Sequence, residues 1–84
     1  MTLAKAEMET PVRIVGFDSL GEAEQTRLSA LGVREEATIV KLMRTPLQDP
    51  VECLVGPQLL ALDAWLLERI LVSPHADPAA LAYR

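Results

Sequence analysis

Cysteine is almost absent from this sequence. Its 84 residues include one cysteine, Cys53, so no internal disulfide can form. The first eleven residues, MTLAKAEMETP, contain no apolar run long enough for a signal peptide. Both observations predict a cytoplasmic protein, because thiols stay reduced in that compartment.

Basic residues are also scarce. The chain has 8 Lys and Arg residues against 12 Asp and Glu residues, which gives a formal net charge of -4, and the basic residues are scattered along it. Binding to the phosphate backbone of DNA or RNA requires concentrated Lys and Arg. The sequence therefore predicts no nucleic-acid partner.

Long uninterrupted apolar runs are missing. The most apolar stretch, residues 59–72, contains Asp63, Glu68 and Arg69 and is too short to cross a bilayer. We therefore expect no direct insertion into a membrane, and any connection to one would run through a partner protein.

The residue sets that carry catalysis are absent too. There is no recognisable Ser/His/Asp set, paired carboxylate motif, P-loop or cysteine pair, so the sequence predicts no enzyme. The one histidine, His75, lies two residues before Asp77, and such a pair can bind a divalent cation. Without further ligands nearby, we favour an adventitious site and predict no metal and no cofactor.

What the chain does have is aliphatic residues. Half of the residues are hydrophobic but only Phe17, Trp65 and Tyr83 are aromatic, so Leu, Val and Ile must build the core. A chain of this length forms one small domain. We expect a flexible lead-in over residues 1–10, the domain over residues 11–73, and a flexible tail over residues 74–84.

Hydrophobic patterning predicts a mainly β fold with short helices. The expected elements are a strand over residues 12–17, a helix over residues 20–31, and two antiparallel strands over residues 37–45 and 51–55. Residues 59–71 are apolar enough to fit either one helix or a strand, turn and helix. Residues 70–73 could then close the sheet as a last short strand.

Both ends of the first helix carry local signals. Ser19 and Glu22 fit the S-x-x-E capping box at its start. Gly32 is the natural left-handed residue after its end, where Val33 would cover Leu28 in a Schellman motif. The strand that follows alternates imperfectly, which indicates either a strand buried on one face and partly covered on the other, or a bulge near Lys41. The predicted core comprises Leu28, Leu31, Ile39, Leu42, Val51, Leu60 and Ile70.

The segment PLQDP, residues 46–50, cannot continue a strand, because each proline removes a backbone donor and fixes its own φ. Loops held by a small rigid barrel commonly carry recognition, and prolines lower the entropy that such a loop loses on binding. We therefore predict a partner-binding surface here, and its residues are Met43, Arg44, Leu47, Asp49 and Pro50. Asp49 could equally serve to satisfy backbone donors of the turn.

Two further residues each have two readings. Cys53 lies in the middle of a predicted strand, which favours a buried structural thiol over a metal ligand or redox centre. Trp65 is expected to be a partly buried core anchor, although a lone Trp can also form an interface, including one between copies of this chain.

Several of these motifs together resemble the ferrous iron transport protein A family. The motifs are R-L-x-x-L-G-V at residues 27–33, P-L-x-D-P at residues 46–50, L-A-L at residues 60–62 and I-L-V at residues 70–72. The resemblance implies an SH3-like β-barrel with one helix between the first two strands and a second short helix near the C-terminus. It also implies an accessory protein of ferrous iron uptake that docks on the cytoplasmic part of a permease containing a GTPase domain.

The same resemblance leaves a second function open. Related domains occur at the C-terminal end of metal-dependent repressors, so the chain could be a metal-sensing or metal-carrying domain with ligands from Cys53, His75 and Asp77. The lack of clustered soft ligands favours the binding module. The family generally has a basic residue where this chain has Asp63, which marks a second candidate surface, expected at a different end of the barrel from the proline turn.

Overall fold

The computed structural model describes residues 1–44 and 49–74, and for Arg44 it describes the backbone only. The strands are β1 (Val12–Phe17), β2 (Thr38–Arg44), β3 (Val51–Val55), β4 (Gln58–Leu62) and β5 (Ile70–Ser73), and the helices are α1 (Glu22–Ala30) and α2 (Ala64–Leu67). The strands form one antiparallel sheet in the order β4-β3-β2-β1-β5. This confirms the predicted mainly β fold. Helix α1 lies between the first two strands, and the short helix α2 lies between β4 and β5, near the C-terminus of the domain.

The apolar stretch that fitted two interpretations contains both a strand and a helix. Gly56, with φ of 58°, and Pro57 form a two-residue turn that folds β4 back onto β3. A short α2 follows, and the chain then returns as β5, as predicted for residues 70–73. The Gly-Pro turn decides between one helix and a strand followed by a helix, because it places the residues after it beside β3 in an antiparallel register.

Strand β2 lies at the centre of the sheet. Three consecutive residues, Ile39, Val40 and Lys41, are buried, so both of its faces are covered. The register with β3 shifts between Lys41 and Met43, which confirms the bulge predicted near Lys41. A bulge accounts for the imperfect alternation of the sequence, because it moves the following side chains to the other face.

The predicted start of α1 is wrong. The helix begins at Glu22 with Gly21 as its N-cap, and no side chain caps it. Ser19 has a φ of 54°, and its hydroxyl donates to Asp18 Oδ1 over 3.1 Å. Because Ser19 lies three residues before the first helical residue, its hydroxyl does not act as the N-cap acceptor.

The predicted end of α1 is confirmed. Gly32 has a φ of 93°, and the N–H of Val33 donates to Leu28 O over 2.9 Å while the N–H of Gly32 donates to Ser29 O over 3.0 Å. These two bonds define the Schellman motif. Leu28 and Val33 are both buried, whereas Leu31 is 38% exposed, so its predicted core position is wrong. The chain reversal brings Val33 into the core and leaves Leu31 at the surface.

Gly32→Ala should lower the free energy of unfolding by about 1 kcal/mol, because a β-carbon is strained at a left-handed φ. The added Cβ would lie 3.6 Å from Val55 Cγ1, an ordinary contact, so no steric clash adds to the cost. Urea denaturation of the two proteins measures the difference. Gly16→Ala, at a glycine of β1 with open space around it and no left-handed φ, is the matched control and should cost less.

The core is built mainly from aliphatic residues, as expected from the composition. Leu28, Ile39, Val51 and Ile70 are buried as predicted. Leu60 packs against the core but is only partly buried, and Leu42 is half-buried. The buried apolar residues outside the predicted core list are Leu3, Ala6, Val12, Ile14, Val33, Val40, Cys53, Val55, Leu62, Leu66, Leu67 and Val72.

The first ten residues contribute to this core, although their sequence indicated a loose lead-in. A short 3₁₀ helix, Leu3–Lys5, buries Leu3 completely and is followed by the buried Ala6. The buried Lys41 holds the segment at two points: its Nζ donates to Ala4 O over 3.1 Å, and its carbonyl accepts from Glu9 N–H over 2.6 Å. The segment therefore packs with the sheet rather than preceding it as a separate element. Residues 75–84 of the predicted tail lie outside the described residues.

Candidate functional site

One end of the sheet brings the two predicted surfaces together. Arg44 of β2 pairs with Val51 of β3, which pairs in turn with Leu62 of β4, so the end of β2, the start of β3 and the end of β4 are adjacent. Helix α2 follows β4 directly. We call this region the loop-end surface and define it by Met43, Asp49, Pro50, Asp63 and Trp65.

A hydrogen bond joins the proline turn to α2. Asp49 Oδ1 accepts from the backbone N–H of Ala64, the first residue of α2, over 2.8 Å. Asp63, the N-cap residue of α2, makes no side-chain cap bond of its own, so Asp49 supplies an acceptor from across the surface. The expectation that Asp63 and the proline turn lie at different ends is wrong. Asp49 thus accepts from a backbone donor of α2, whereas its predicted role towards donors of the turn stays a prediction.

The loop-end surface carries two large exposed apolar side chains. Met43 is 57% exposed and Trp65 is 51% exposed. The expected role of Trp65 as a core anchor is therefore wrong. Leu66 and Leu67, its neighbours in α2, are buried in its place.

The charge described on this surface is acidic. Asp49 and Asp63 are exposed, and Glu52, which pairs with Met43 across β2 and β3, is half-buried. Pro50 is half-buried beside Asp49. Of the other predicted partner-binding residues, Arg44 is placed by its backbone pairing alone, and Leu47 lies outside the described residues.

A second surface, which the sequence did not predict, is a cleft of about 470 Å³. It lies between the end of α1, the start of β2 and the β3–β4 turn. Apolar atoms come from Pro11, Leu31, Val40, Leu54 and Pro57. Charged side chains at the same cleft belong to Arg34, Glu35 and Glu36. The Glu36 carboxylate also forms an ion pair with Arg13, with 3.6 Å between Oε2 and Nη1.

Cys53 is completely buried in β3, and its Sγ donates to Val51 O over 3.7 Å. Burial raises the pKa of the Cys53 thiol to about 11, although the nearby Lys41 acts to lower it. A thiol of this kind is a poor nucleophile and a poor metal ligand at neutral pH. Among the described residues, no three His, Cys, Asp or Glu side chains are grouped so that they could hold a metal ion. His75 and Asp77 lie outside that part of the chain.

The raised pKa of Cys53 predicts a loss of stability at high pH. The folded state keeps the thiol proton up to about pH 11, whereas the unfolded chain releases it near 9.0. The buried neutral thiol therefore makes its full contribution to the free energy of unfolding below pH 9, and this contribution is lost as the pH rises towards 11. It amounts to about 2–3 kcal/mol.

Urea denaturation at several pH values measures this loss. Cys53→Ala is the control, and its free energy of unfolding should fall less steeply between pH 9 and 11 than that of the parent. Equal slopes in the two proteins would show that the thiol is not buried as described.

No helix in the described ranges, 1–44 and 49–74, has the length and apolar character needed to cross a membrane. The longest of them, α1, has 9 residues.

Comparison with known proteins places this geometry in a family. The model of the FeoA domain family matches residues 1–74. The FeoA protein of Chlorobium tepidum is 24% identical and superimposes with a TM-score of 0.78, covering 100% of this chain and 87% of that one. The FeoA of Stenotrophomonas maltophilia, described as a prokaryotic SH3 domain protein and complexed with zinc, is 22% identical with a TM-score of 0.71, over 87% of this chain and 89% of that one.

A longer relative is the iron(II) transport protein A of Clostridium thermocellum. It is 26% identical with a TM-score of 0.74, and the match covers 86% of this chain but only 44% of that protein. A search of curated proteins found no significant match. These likenesses confirm the SH3-like fold, and the chain belongs to the FeoA domain family.

Proposed function

We propose that this chain is a cytoplasmic accessory protein of ferrous iron uptake that docks on the cytoplasmic part of a ferrous iron permease and modulates its GTPase domain. Membership of the FeoA family supports the link to ferrous iron transport. The S. maltophilia relative is itself described in terms of a bacterial ferrous iron transport activating factor.

The observation that carries the proposal is the pair of exposed apolar side chains on the loop-end surface. Met43 projects from a central strand, and Trp65 lies on a helix that Leu66 and Leu67 fix to the core. Exposed Met and Trp are typical of binding surfaces, because the rigid indole of Trp buries a large area and the flexible Met side chain adapts to the shape of a partner. Leu47 and Arg44 complete the surface that we propose.

The charges of this surface define the partner's chemistry. Asp49 and Asp63 flank the apolar residues and are both exposed. A complementary partner offers an apolar pocket for Trp65 with Lys or Arg at its rim. Rim charges of opposite sign raise the rate of association, so binding should weaken as the salt concentration rises.

The alternative, a metal-sensing or metal-carrying domain, has weaker support. A manganese-dependent transcriptional repressor shares the fold with a TM-score of 0.73, but at 10% identity and over 40% of that protein. Of its three predicted ligands, Cys53 is opposed by its burial and raised pKa, and His75 and Asp77 lie outside the described residues. Tight equimolar iron or zinc after dialysis, lost in Cys53→Ser, would support the alternative.

The test is capture of the permease's cytoplasmic part by this chain in vitro. The parent should retain it, and Met43→Asp should reduce capture at least ten-fold, because a carboxylate replaces an apolar contact inside an already acidic surface. Val15→Asp is the matched control: Val15 is 43% exposed on β1, outside the loop-end surface. This variant should bind like the parent.

Two results would contradict the proposal. If the parent does not retain the permease's cytoplasmic part, the docking function fails. If Met43→Asp and Val15→Asp bind equally well, docking survives but the loop-end surface is not its site. Matching circular dichroism spectra and melting temperatures of the two variants would exclude unfolding as the cause of lost binding.

A further inference from the structure

The two edges of the sheet differ in how they are covered. At the β5 edge, Thr2 bridges to Leu71 and Val72 N–H donates to Met1 O over 2.8 Å, so the N-terminal residues cap this edge. At the other edge, β3 is the only strand paired with β4 in the described part of the chain. An uncapped edge strand offers backbone donors and acceptors to another strand.

The register of the β3–β4 hairpin shows which backbone groups face outward. Val55 pairs with Gln58 across the two-residue turn, which makes this the first hydrogen-bonded pair. Hydrogen-bonded and non-hydrogen-bonded pairs alternate in an antiparallel ladder. Leu59 and Ala61, opposite Leu54 and Glu52, are therefore the residues with N–H and C=O groups that point away from β3.

The side chains of β4 do not protect this edge. Its sequence, QLLAL, has no charged residue and no proline, the usual devices against edge pairing. Leu59 is 56% exposed, and Ala61, on the same face, is exposed as well. An exposed apolar side chain and outward backbone groups thus lie together on one short strand.

We propose that β4 pairs with β4 of a second copy of this chain, antiparallel, about a two-fold axis at Leu60. In this register Leu59 of one copy lies opposite Ala61 of the other, and the outward N–H of each residue donates to the outward C=O of the opposite one. The two-fold axis produces the same two bonds between Ala61 of the first copy and Leu59 of the second. Four backbone hydrogen bonds form, and the two five-stranded sheets become continuous.

Size and charge favour a second copy over an unrelated strand. Each Leu59 lies opposite an Ala61, so a large side chain meets a small one on both sides of the axis. Because β4 carries no charge, no like charges face each other across the new ladder. The strand is thus complementary to itself in backbone, size and charge.

The interface is small, so the dimer should be weak. An interface formed by five residues of each copy should bury less than about 1,200 Å² of accessible surface, a range typical of transient complexes. Sedimentation velocity of the parent should show a weight-average sedimentation coefficient that rises with protein concentration towards the dimer value.

Ala61→Pro tests the backbone contact. It removes one outward N–H per copy and leaves the β3–β4 ladder intact, because proline is tolerated where the N–H faces away from the sheet. We expect dimerisation to be at least about ten-fold weaker. Leu59→Lys should act in the same direction by placing two charges at the interface. Val15→Lys, at an exposed side chain of β1 away from this edge, should dimerise like the parent.

Two outcomes would overturn this proposal. One is a parent protein that remains monomeric at concentrations up to about 1 mM. A dissociation constant of that size corresponds to a binding free energy of only about -4 kcal/mol. The other is undiminished dimerisation in both Ala61→Pro and Leu59→Lys, each checked for a parent-like circular dichroism spectrum. If Ala61→Pro and Leu59→Lys weaken binding to another protein but leave self-association unchanged, the β4 edge binds that protein and not a second copy of this chain.

Discussion

Leu3→Ala should lower the free energy of unfolding by about 2–5 kcal/mol, a large share of what a domain of this size has. Leu3 is 0% exposed and belongs to the same core cluster as Ile14, Ile39 and Ile70. The truncation removes buried apolar atoms and leaves a cavity, because the 3₁₀ helix is held by Lys41 and cannot collapse freely.

Lys5→Ala provides the control for this loss. Lys5 is exposed in the same 3₁₀ helix as Leu3, so its truncation should change stability by no more than about 0.5 kcal/mol. Urea denaturation of both variants gives the comparison. Equal, small effects would show that residues 1–10 are the loose lead-in that their sequence indicated.

The second large effect is expected on binding. Trp65→Ala should weaken the affinity for the permease's cytoplasmic part by about 30-fold or more, the size of loss typical of an interface hot spot. Trp65 is 51% exposed, so its truncation should cost less folding stability than that of the fully buried Leu3. Isothermal titration calorimetry measures the affinity, and thermal melting checks the fold.

Asp49 offers a matched pair of variants for the same surface. Asp49→Asn keeps an oxygen that can accept from Ala64 N–H but removes the charge, whereas Asp49→Ala removes both. If Asp49 acts by positioning α2, Asn should bind like the parent and Ala should bind more weakly. If its charge contacts the partner, both variants should weaken binding and reduce its dependence on salt.

Local signals predicted much of the fold. The Schellman end of α1 needed only Leu28, Gly32 and Val33, which lie within six residues, and the bulge near Lys41 was visible as a break in alternation. β1 and β3 were predicted residue for residue. Each of these features is decided by interactions between neighbours in the sequence.

Features that depend on distant residues were missed. The packing of Leu3 depends on Lys41, 37 residues from Ala4, and the link between Asp49 and Ala64 spans 15 residues. No periodicity within one segment encodes such contacts. The adjacency of the proline turn and Trp65 therefore became visible only in the folded chain.

Nuclear magnetic resonance titration tests the central claim most directly. Isotope-labelled chain is titrated with the permease's cytoplasmic part, and amide and indole N–H shifts are followed. Docking through the loop-end surface predicts the largest changes at Met43, Asp49, Asp63 and the Trp65 side chain. Unchanged spectra, or changes confined to the cleft around Leu31 and Leu54, would contradict it.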